Sequence, residues 1–136
     1  MMISTRGRYA LRVMIDLAEH ASQGYIPMKE VAGRQGISLK YLERIMPSLS
    51  KSGLVTGIQG KGGGYRLSRP PEEYTVGEIL RLSEGELAPV ACLAQGSSPC
   101  QRRGQCKTLT MWNQFYQMTN QFFDGITIAQ LMENKL

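Results

Sequence analysis

With 136 residues, a formal net charge of +5 and an apolar fraction of 42%, the chain has the size and composition of one globular domain with room for an extension. A charged fraction of 20% is ordinary, so disorder is not expected, and the absence of any apolar run of about eighteen residues excludes a membrane-spanning helix. The amino terminus enters an amphipathic segment without the apolar stretch of a signal peptide, which makes the cytoplasm the expected location. The charge is unevenly divided. Residues 1–71 hold eleven Lys/Arg against four Asp/Glu, and residues 72–136 hold five against seven. A basic amino-terminal half joined to a mildly acidic remainder points to a polyanion-binding module attached to something else.

The first predicted helix runs from about Thr5 to Ala21, where Leu11, Met14, Ile15 and Ala18 follow the i, i+3, i+4, i+7 spacing of one apolar face. Arg6, Arg8 and Arg12 gather near its start against the helix dipole, a placement that suits an external anion such as phosphate as well as a solvated surface. A short helix is expected from about Met28 to Gln35, entered through Pro27 and closed by Gly36. Ser38 is placed to cap a third helix from Leu39 towards Ser52, with Leu42, Ile45 and Leu49 facing a core and Pro47 expected to kink it. Two short helices joined by a glycine-containing turn form a helix-turn-helix signature. The first residues of the second helix, Lys40, Tyr41, Glu43 and Arg44, are then the candidates for base edges.

Two β-prone runs follow, Leu54 to Ile58 and Gly64 to Leu67, separated by Gln59-Gly60-Lys61-Gly62-Gly63. No Lys-Ser/Thr pair and no immediate helix accompany these glycines, so the loop is not a nucleotide cradle. Directly behind a helix-turn-helix it reads as a wing, whose glycines let the backbone approach a phosphate chain. The expected fold is mainly α with a small β-hairpin, a winged helix-turn-helix followed by a long carboxy-terminal dimerisation helix. The chain is divided into a DNA-binding domain over 1–71, a connecting helix and cysteine loop over 72–107, and a dimerisation helix with a closing helix over 108–136.

After Ser68-Arg69-Pro70-Pro71, a fourth helix is predicted from Thr75 to about Ser83, opened by a Thr75–Glu78 capping box. All three cysteines, Cys92, Cys100 and Cys106, then fall in one loop broken by Gly96, Pro99 and Gly104. An odd number of cysteines in a reducing compartment argues against a disulfide scaffold and towards metal or redox chemistry. Structural zinc prefers four ligands at shorter spacings, and intervals of seven and five residues suit it poorly; a zinc site or a thiol switch is the alternative reading. Paired carboxylates at a useful spacing, a nucleophile motif and a nucleotide loop are all missing, so an enzyme is not expected. The predicted long helix from Thr108 to Phe123 carries Leu109, Trp112, Phe115, Tyr116, Phe122 and Phe123, more aromatic surface than a three-helix core needs. A dimer seam is the expected use, with an intramolecular core as the other. Asp124-Gly125 stops this helix, and Ile126 to Met132 forms a short closing helix capped by Thr127.

The stretches Thr5-Arg6-Gly7-Arg8-Tyr9-Ala10, Gln35-Gly36-Ile37-Ser38-Leu39-Lys40-Tyr41-Leu42-Glu43 and Gly60-Lys61-Gly62-Gly63-Gly64-Tyr65 resemble the Rrf-two family of winged-helix transcription regulators. Val76-Gly77-Glu78-Ile79 and Gly125-Ile126-Thr127-Ile128 extend the resemblance over nearly the whole chain. Three cysteines ahead of a long helix bearing Trp112 are similar to the iron–sulfur members; the nitric-oxide-sensing members also carry three, and the cysteine-metabolism members lack the triad. The resemblance implies a homodimeric repressor, with dual action as a variant, that binds double-stranded DNA at a palindromic operator. It also implies control of iron–sulfur cluster biogenesis or a related stress response through an iron–sulfur cluster, [2Fe–2S] first and [4Fe–4S] second. Cys92, Cys100 and Cys106 match the family's cluster ligands. Glu43 matches a base-reading residue, and a carboxylate suits cytosine N4. Ser38, Lys40, Tyr41 and Arg44 belong to the same reading helix, Arg6 and Arg8 to the backbone contacts, and Lys61, Tyr65 and Arg66 to the wing, with Gln59 at its entrance. Two departures stand out. The iron–sulfur members place a histidine three residues after the last cysteine, where this chain has Leu109, and the first-helix aspartate of the nitric-oxide sensors corresponds to Arg8 or its neighbourhood. The only histidine, His20, lies near the end of the first helix, so the fourth ligand is unassigned.

Overall fold

A computed structural model describes residues 2–136. Helix α1, Thr5–Glu19, begins where the Ser4 hydroxyl accepts the Gly7 N–H at 3.1 Å, satisfying one of the free donors of the first turn. Its buried residues are Gly7, Ala10, Val13, Met14, Asp16, Leu17 and Ala18. The apolar face is therefore rotated from the expected one: Met14 and Ala18 are inside, but Leu11 and Ile15 are half-buried at the rim. Asp16 is the reason that this face is hard to read. Its side chain is 1% exposed, and its carboxylate accepts Arg34 Nε at 3.0 Å, Arg34 Nη2 at 2.7 Å and Gln35 Nε2 at 2.9 Å. Burial pushes the Asp16 carboxyl up, but the hydrogen bonds from Arg34 and Gln35, together with the Arg34 charge, hold it below the ordinary aspartate value.

Those two partners close helix α2, Met28–Gln35. Helix α3, Leu39–Lys51, starts on the Ser38 hydroxyl, which accepts the Tyr41 N–H at 3.1 Å, and buries Leu42, Ile45, Met46 and Leu49 at helical spacing. The helix is continuous across Pro47, which lies on its exposed side. Strands β1, Val55–Ile58, and β2, Gly64–Leu67, pair antiparallel with Val55 opposite Leu67 and Ile58 opposite Gly64. The hairpin does not stand alone. Ile26 exchanges backbone hydrogen bonds with Tyr65, at 2.8 and 2.9 Å, so the chain entering α2 stitches onto β2. Gly64 makes this approach feasible: a Cβ there would stand 2.2 Å from the Ile26 carbonyl oxygen.

Tyr74 pins the root of the wing. It is fully buried, its hydroxyl donates to the Leu54 carbonyl at 2.6 Å, and the same oxygen accepts the N–H groups of Ser68 and Arg69, each at 3.0 Å. Arg69 lies over the Tyr74 ring at 4.3 Å and pairs with Glu78 at 2.7 Å. Thr75 caps helix α4, Val76–Glu84, by accepting the Glu78 N–H. The expected capping box is half made, because the Glu78 carboxylate turns to Arg69 instead. Both halves do form at helix α6, Ile128–Glu133, between Thr127 and Gln130.

One core takes in α1, α2, α3 and β1 together with Tyr74, Ile79 and Ile128, so α4 and α6 pack against the amino-terminal half. A second cluster, Val76, Leu80 and Leu87, receives Phe123 and Ile126. Helix α5, Leu109–Asp124, is fastened to α4 by Arg81, whose guanidinium donates to Asp124 at 2.7 and 2.9 Å and to Asn120 at 2.8 Å. Among the described residues, no helix is long and apolar enough to cross a membrane.

Candidate DNA-reading face and cysteine pocket

The head of α3 presents Lys40, Glu43 and Arg44 as exposed side chains, and Ser38, Lys40, Tyr41 and Arg44 line a shallow concavity of about 280 Å³. Tyr41 is differently employed from its neighbours. It is half-buried, and its ring meets Tyr9 of α1 edge-on with centroids 5.4 Å apart. Arg12 lies over Tyr9 at 5.3 Å, and its Nε donates to Gln35 Oε1 at 3.2 Å while its guanidinium also reaches the Gln35 carbonyl. Tyr41 and Arg12 thus brace the turn between α2 and α3. Arg6 and Arg8 are exposed at the head of α1, with Arg8 donating to the Thr5 hydroxyl at 3.2 Å.

On the wing, Gln59 and Lys61 are exposed at the tip, where Gly60 and Gly62 take φ values of +92° and +77°. Arg66 is exposed on β2 with its guanidinium over the Tyr25 ring at 4.6 Å. Tyr65 is half-buried at the wing root, where its backbone meets Ile26. The bracing residues Tyr9, Gln35 and Tyr25 were not singled out by the sequence, since partners dozens of positions apart leave no periodic signal.

Cys92, Cys100 and Cys106 are all exposed and unpaired with one another, yet all three line one pocket of about 240 Å³ with Leu93, Pro99, Arg103, Leu109 and Asn113. Three short turns bring them there: the single helical turn Ala91–Leu93, the turn in which Arg103 N–H meets the Cys100 carbonyl at 3.0 Å, and the Arg102–Gln105 turn at 2.9 Å. Cys106 lies just before α5. Its thiol is held below its ordinary range, first by the hydrogen bond with the Thr108 hydroxyl (3.4 Å), then by the Thr108 backbone, with the Leu109 backbone and the Arg102 charge adding to the effect against a small opposing contribution of burial. Among the described residues, no group of three or more His, Cys, Asp or Glu is close enough to hold a metal ion. The three thiols share a concavity. His20 is not among the pocket residues; its Nδ1 lies 2.8 Å from the Asp16 carbonyl oxygen at the end of α1.

Helix α5 buries only Thr119. Met111, Phe115, Met118 and Phe122 are 51%, 40%, 66% and 61% exposed, and their 4-3-4 spacing makes one continuous apolar stripe. Of the six residues singled out for a seam, Phe115 and Phe122 lie on this stripe. Leu109 lines the cysteine pocket, Trp112 is half-buried, the Tyr116 hydroxyl donates to Glu86, and Phe123 packs on the second core cluster. Met111 and Met118 complete the stripe, and their spacing to Phe115 and Phe122 is a sequence signal independent of aromatic content.

The chain matches the Rrf2 family, described as "Iron-dependent Transcriptional regulator", over residues 3–134. It is 39% identical to the HTH-type transcriptional regulator IscR of Aliivibrio salmonicida over 132 residues, covering 97% of this chain and 77% of that protein. In structure it is similar to CymR (YrzC), the global cysteine regulator of B. subtilis, with a TM-score of 0.79, 32% identity and 98% of both chains covered. It is also similar to T. potens IscR, with a TM-score of 0.75, 32% identity, and 100% of this chain and 89% of the other covered. These relatives are transcriptional regulators and not enzymes, and the hairpin behind α3 is the wing of their fold. The chain belongs to the Rrf2 family of transcriptional regulators.

Proposed function

We propose that this regulator is a homodimeric repressor whose grip on a palindromic operator responds to an iron–sulfur cluster, [2Fe–2S] by preference, held by Cys92, Cys100 and Cys106. The observation that carries the reading is the convergence of the three exposed thiols on one pocket at the head of α5. Thiolates are the donors that such clusters take, and Cys106 is already biased towards the thiolate. The donor set fits with one coordination position left over. Apart from the thiols, the polar side chains lining the pocket are Arg103 and Asn113, neither of them an ordinary cluster ligand. When bound, the cluster supplies an iron centre sensitive to redox state and to small ligands, and a three-thiolate set leaves it open to exchange. The signal it reports, whether cluster supply or nitric oxide, is read out by the same residues.

The remaining roles follow from exposure and charge. Lys40, Glu43 and Arg44 read base edges from the head of α3, Glu43 adding selectivity and no phosphate affinity because its charge repels the backbone. Arg6, Arg8, Lys61 and Arg66 meet phosphates, Gln59 assists at the wing, and Ser38, Tyr41 and Tyr65 hold these elements in place. The α5 stripe joins two copies, which sets two α3 helices at half-sites about 34 Å apart. Residues 1–71 carry the DNA contacts, 72–107 the cluster input and 108–136 the seam.

Anaerobic reconstitution with iron and sulfide, followed by visible spectroscopy and salt-dependent binding to a palindromic duplex, tests the reading. Protein that colours and changes its operator affinity with cluster content is the expected result. A preparation that stays colourless, yet alters DNA binding under mild oxidant, supports the second reading, a thiol switch. The exposure of all three cysteines and the lowered Cys106 thiol favour that as the alternative.

A further inference from the structure

Helix α4 ends at Glu84 and is followed by Gly85 and Glu86, and the two carboxylates point to different parts of the molecule. Glu86 Oε2 accepts the backbone N–H of Gln95 at 2.8 Å, within the segment between Cys92 and Cys100. Its other oxygen, Oε1, accepts the Tyr116 hydroxyl of α5, a bond that pushes the phenol above its ordinary range. Two residues earlier, Glu84 Oε1 accepts both the Ser4 N–H at 3.0 Å and the Ser4 hydroxyl at 2.5 Å, and Ser4 in turn caps α1 through the Gly7 N–H. The fit there is tight, since a Cβ on Gly7 would stand 2.5 Å from the same Glu84 oxygen. Gly85, at φ +82°, joins the two carboxylates.

The bond from Gln95 to Glu86 is the only hydrogen bond, among the described residues, that ties residues 94–105 to anything outside residues 91–106; the others run between turns of the loop itself. The three thiols line one pocket without standing close enough to share one metal ion, so drawing them onto a single common ion falls to the loop that carries them. Gln95 lies in that loop, and its one anchor also holds α5.

We propose that Glu86 is a positioning residue that couples the cysteine loop to α5, and that Glu84 carries the same segment's position to the head of α1, where Arg6 and Arg8 stand. This inference rests on the cluster-responsive reading above and names the residues that transmit the response. Spatial adjacency alone does not establish coupling, so the measurement has to be of coupling itself.

The test uses the full chain with Glu86→Ala, Glu86→Gln and Tyr116→Phe. In hydrogen–deuterium exchange on cluster-free protein, Glu86→Ala raises exchange about fivefold in both the 94–98 and the 113–120 segments and leaves 39–51 unchanged. Across cluster-loaded and cluster-free forms, Glu86→Ala brings the ratio of operator affinities to within about twofold of one at unchanged iron content. Tyr116→Phe, which keeps only the Gln95 bond, falls between Glu86→Ala and wild type, and Glu86→Gln, whose amide oxygen accepts the Gln95 N–H while its N–H group donates to the Tyr116 hydroxyl, stays closest to wild type. A merely structural role weakens both forms equally and preserves the ratio. Exchange that rises in the loop alone, or a wild-type ratio retained by Glu86→Ala, overturns the coupling role. A wild-type ratio of one overturns the cluster-responsive reading and the relay with it, a result distinct from a standing wild-type ratio that the variant keeps.

Discussion

Helices α1 and α5 have 15 and 16 residues, and they are built in opposite senses. Seven residues of α1 are buried, and the one charge among them, Asp16, is locked by Arg34 and Gln35. Helix α5 buries one residue; it faces its own chain largely with polar ties, Asn120 and Asp124 to Arg81 and Tyr116 to Glu86, and turns Met111, Phe115, Met118 and Phe122 outward. A helix with its polar fastenings inside and its apolar stripe outside has the build that the proposed seam between two copies needs. Hydrophobic content alone does not tell the two apart, since both helices are amphipathic. What separates them is which face the rest of the chain can cover.

The contrast can be broken most directly at Asp16. Asp16→Ala leaves Arg34 with only the looser Glu30 pair at 3.6 Å and is expected to cost about 3 kcal/mol, the low end for a broken buried pair because Arg34 itself is partly solvated. Urea unfolding measures it. Tyr74→Phe strips the wing root of three hydrogen bonds and leaves the Arg69 N–H unpartnered, an expected loss of about 2 kcal/mol by the same method. Phe122→Asp, on the outward stripe, should change the unfolding free energy of the isolated chain by no more than about 0.5 kcal/mol while shifting sedimentation from dimer to monomer. A loss as large as that of Asp16→Ala, with no change in association, would erase the distinction between the two helices.

Acid sharpens the same comparison. The Asp16 carboxyl is held below its ordinary value in the folded state, so its contribution is complete above the unfolded value of about 4 and is lost as pH falls from there through the folded value. Urea midpoints taken from pH 6 down to 3 should therefore fall more steeply for wild type than for Asp16→Asn, whereas substitutions on the α5 stripe should leave that slope alone. The smallest effect is expected at the wing tip. Lys61→Ala should lower the slope of log affinity against log salt by about 1, with no change in operator preference.

Much of this architecture was legible from local rules. Ser38 before Leu39, Gly36 after Gln35 and the glycine-rich tip between two β-prone runs carry their own geometry, and the structure places α2, α3, β1 and β2 within a residue or so of the expected bounds. What escaped was what depends on distant partners. Asp16 interrupts the apolar face of α1 because its partners are on α2, and Leu11 and Ile15 stood in for Val13 and Leu17 as a result. Glu78 left its capping box for Arg69, nine residues away. The cysteines were legible as a group, and their common pocket follows from turns in the loop, but the hold that Glu86 has on that loop through Gln95 has no signature in spacing.

The root of the wing limits how operator preference can change. A side chain on Gly64 would strike the Ile26 carbonyl, and one on Gly63 would stand 2.2 Å from the Ile58 carbonyl oxygen. Gly60 and Gly62 hold backbone angles that other residues adopt at a cost, which leaves Gln59 and Lys61 as the two letters of the tip open to revision. A library randomised over residues 59–63 should collapse to variation at those two positions, while one over Lys40, Glu43 and Arg44 keeps its diversity. If the proposed contacts hold, new operator sequences are to be sought by rewriting α3, with the wing kept as a fixed clamp on the phosphate chain.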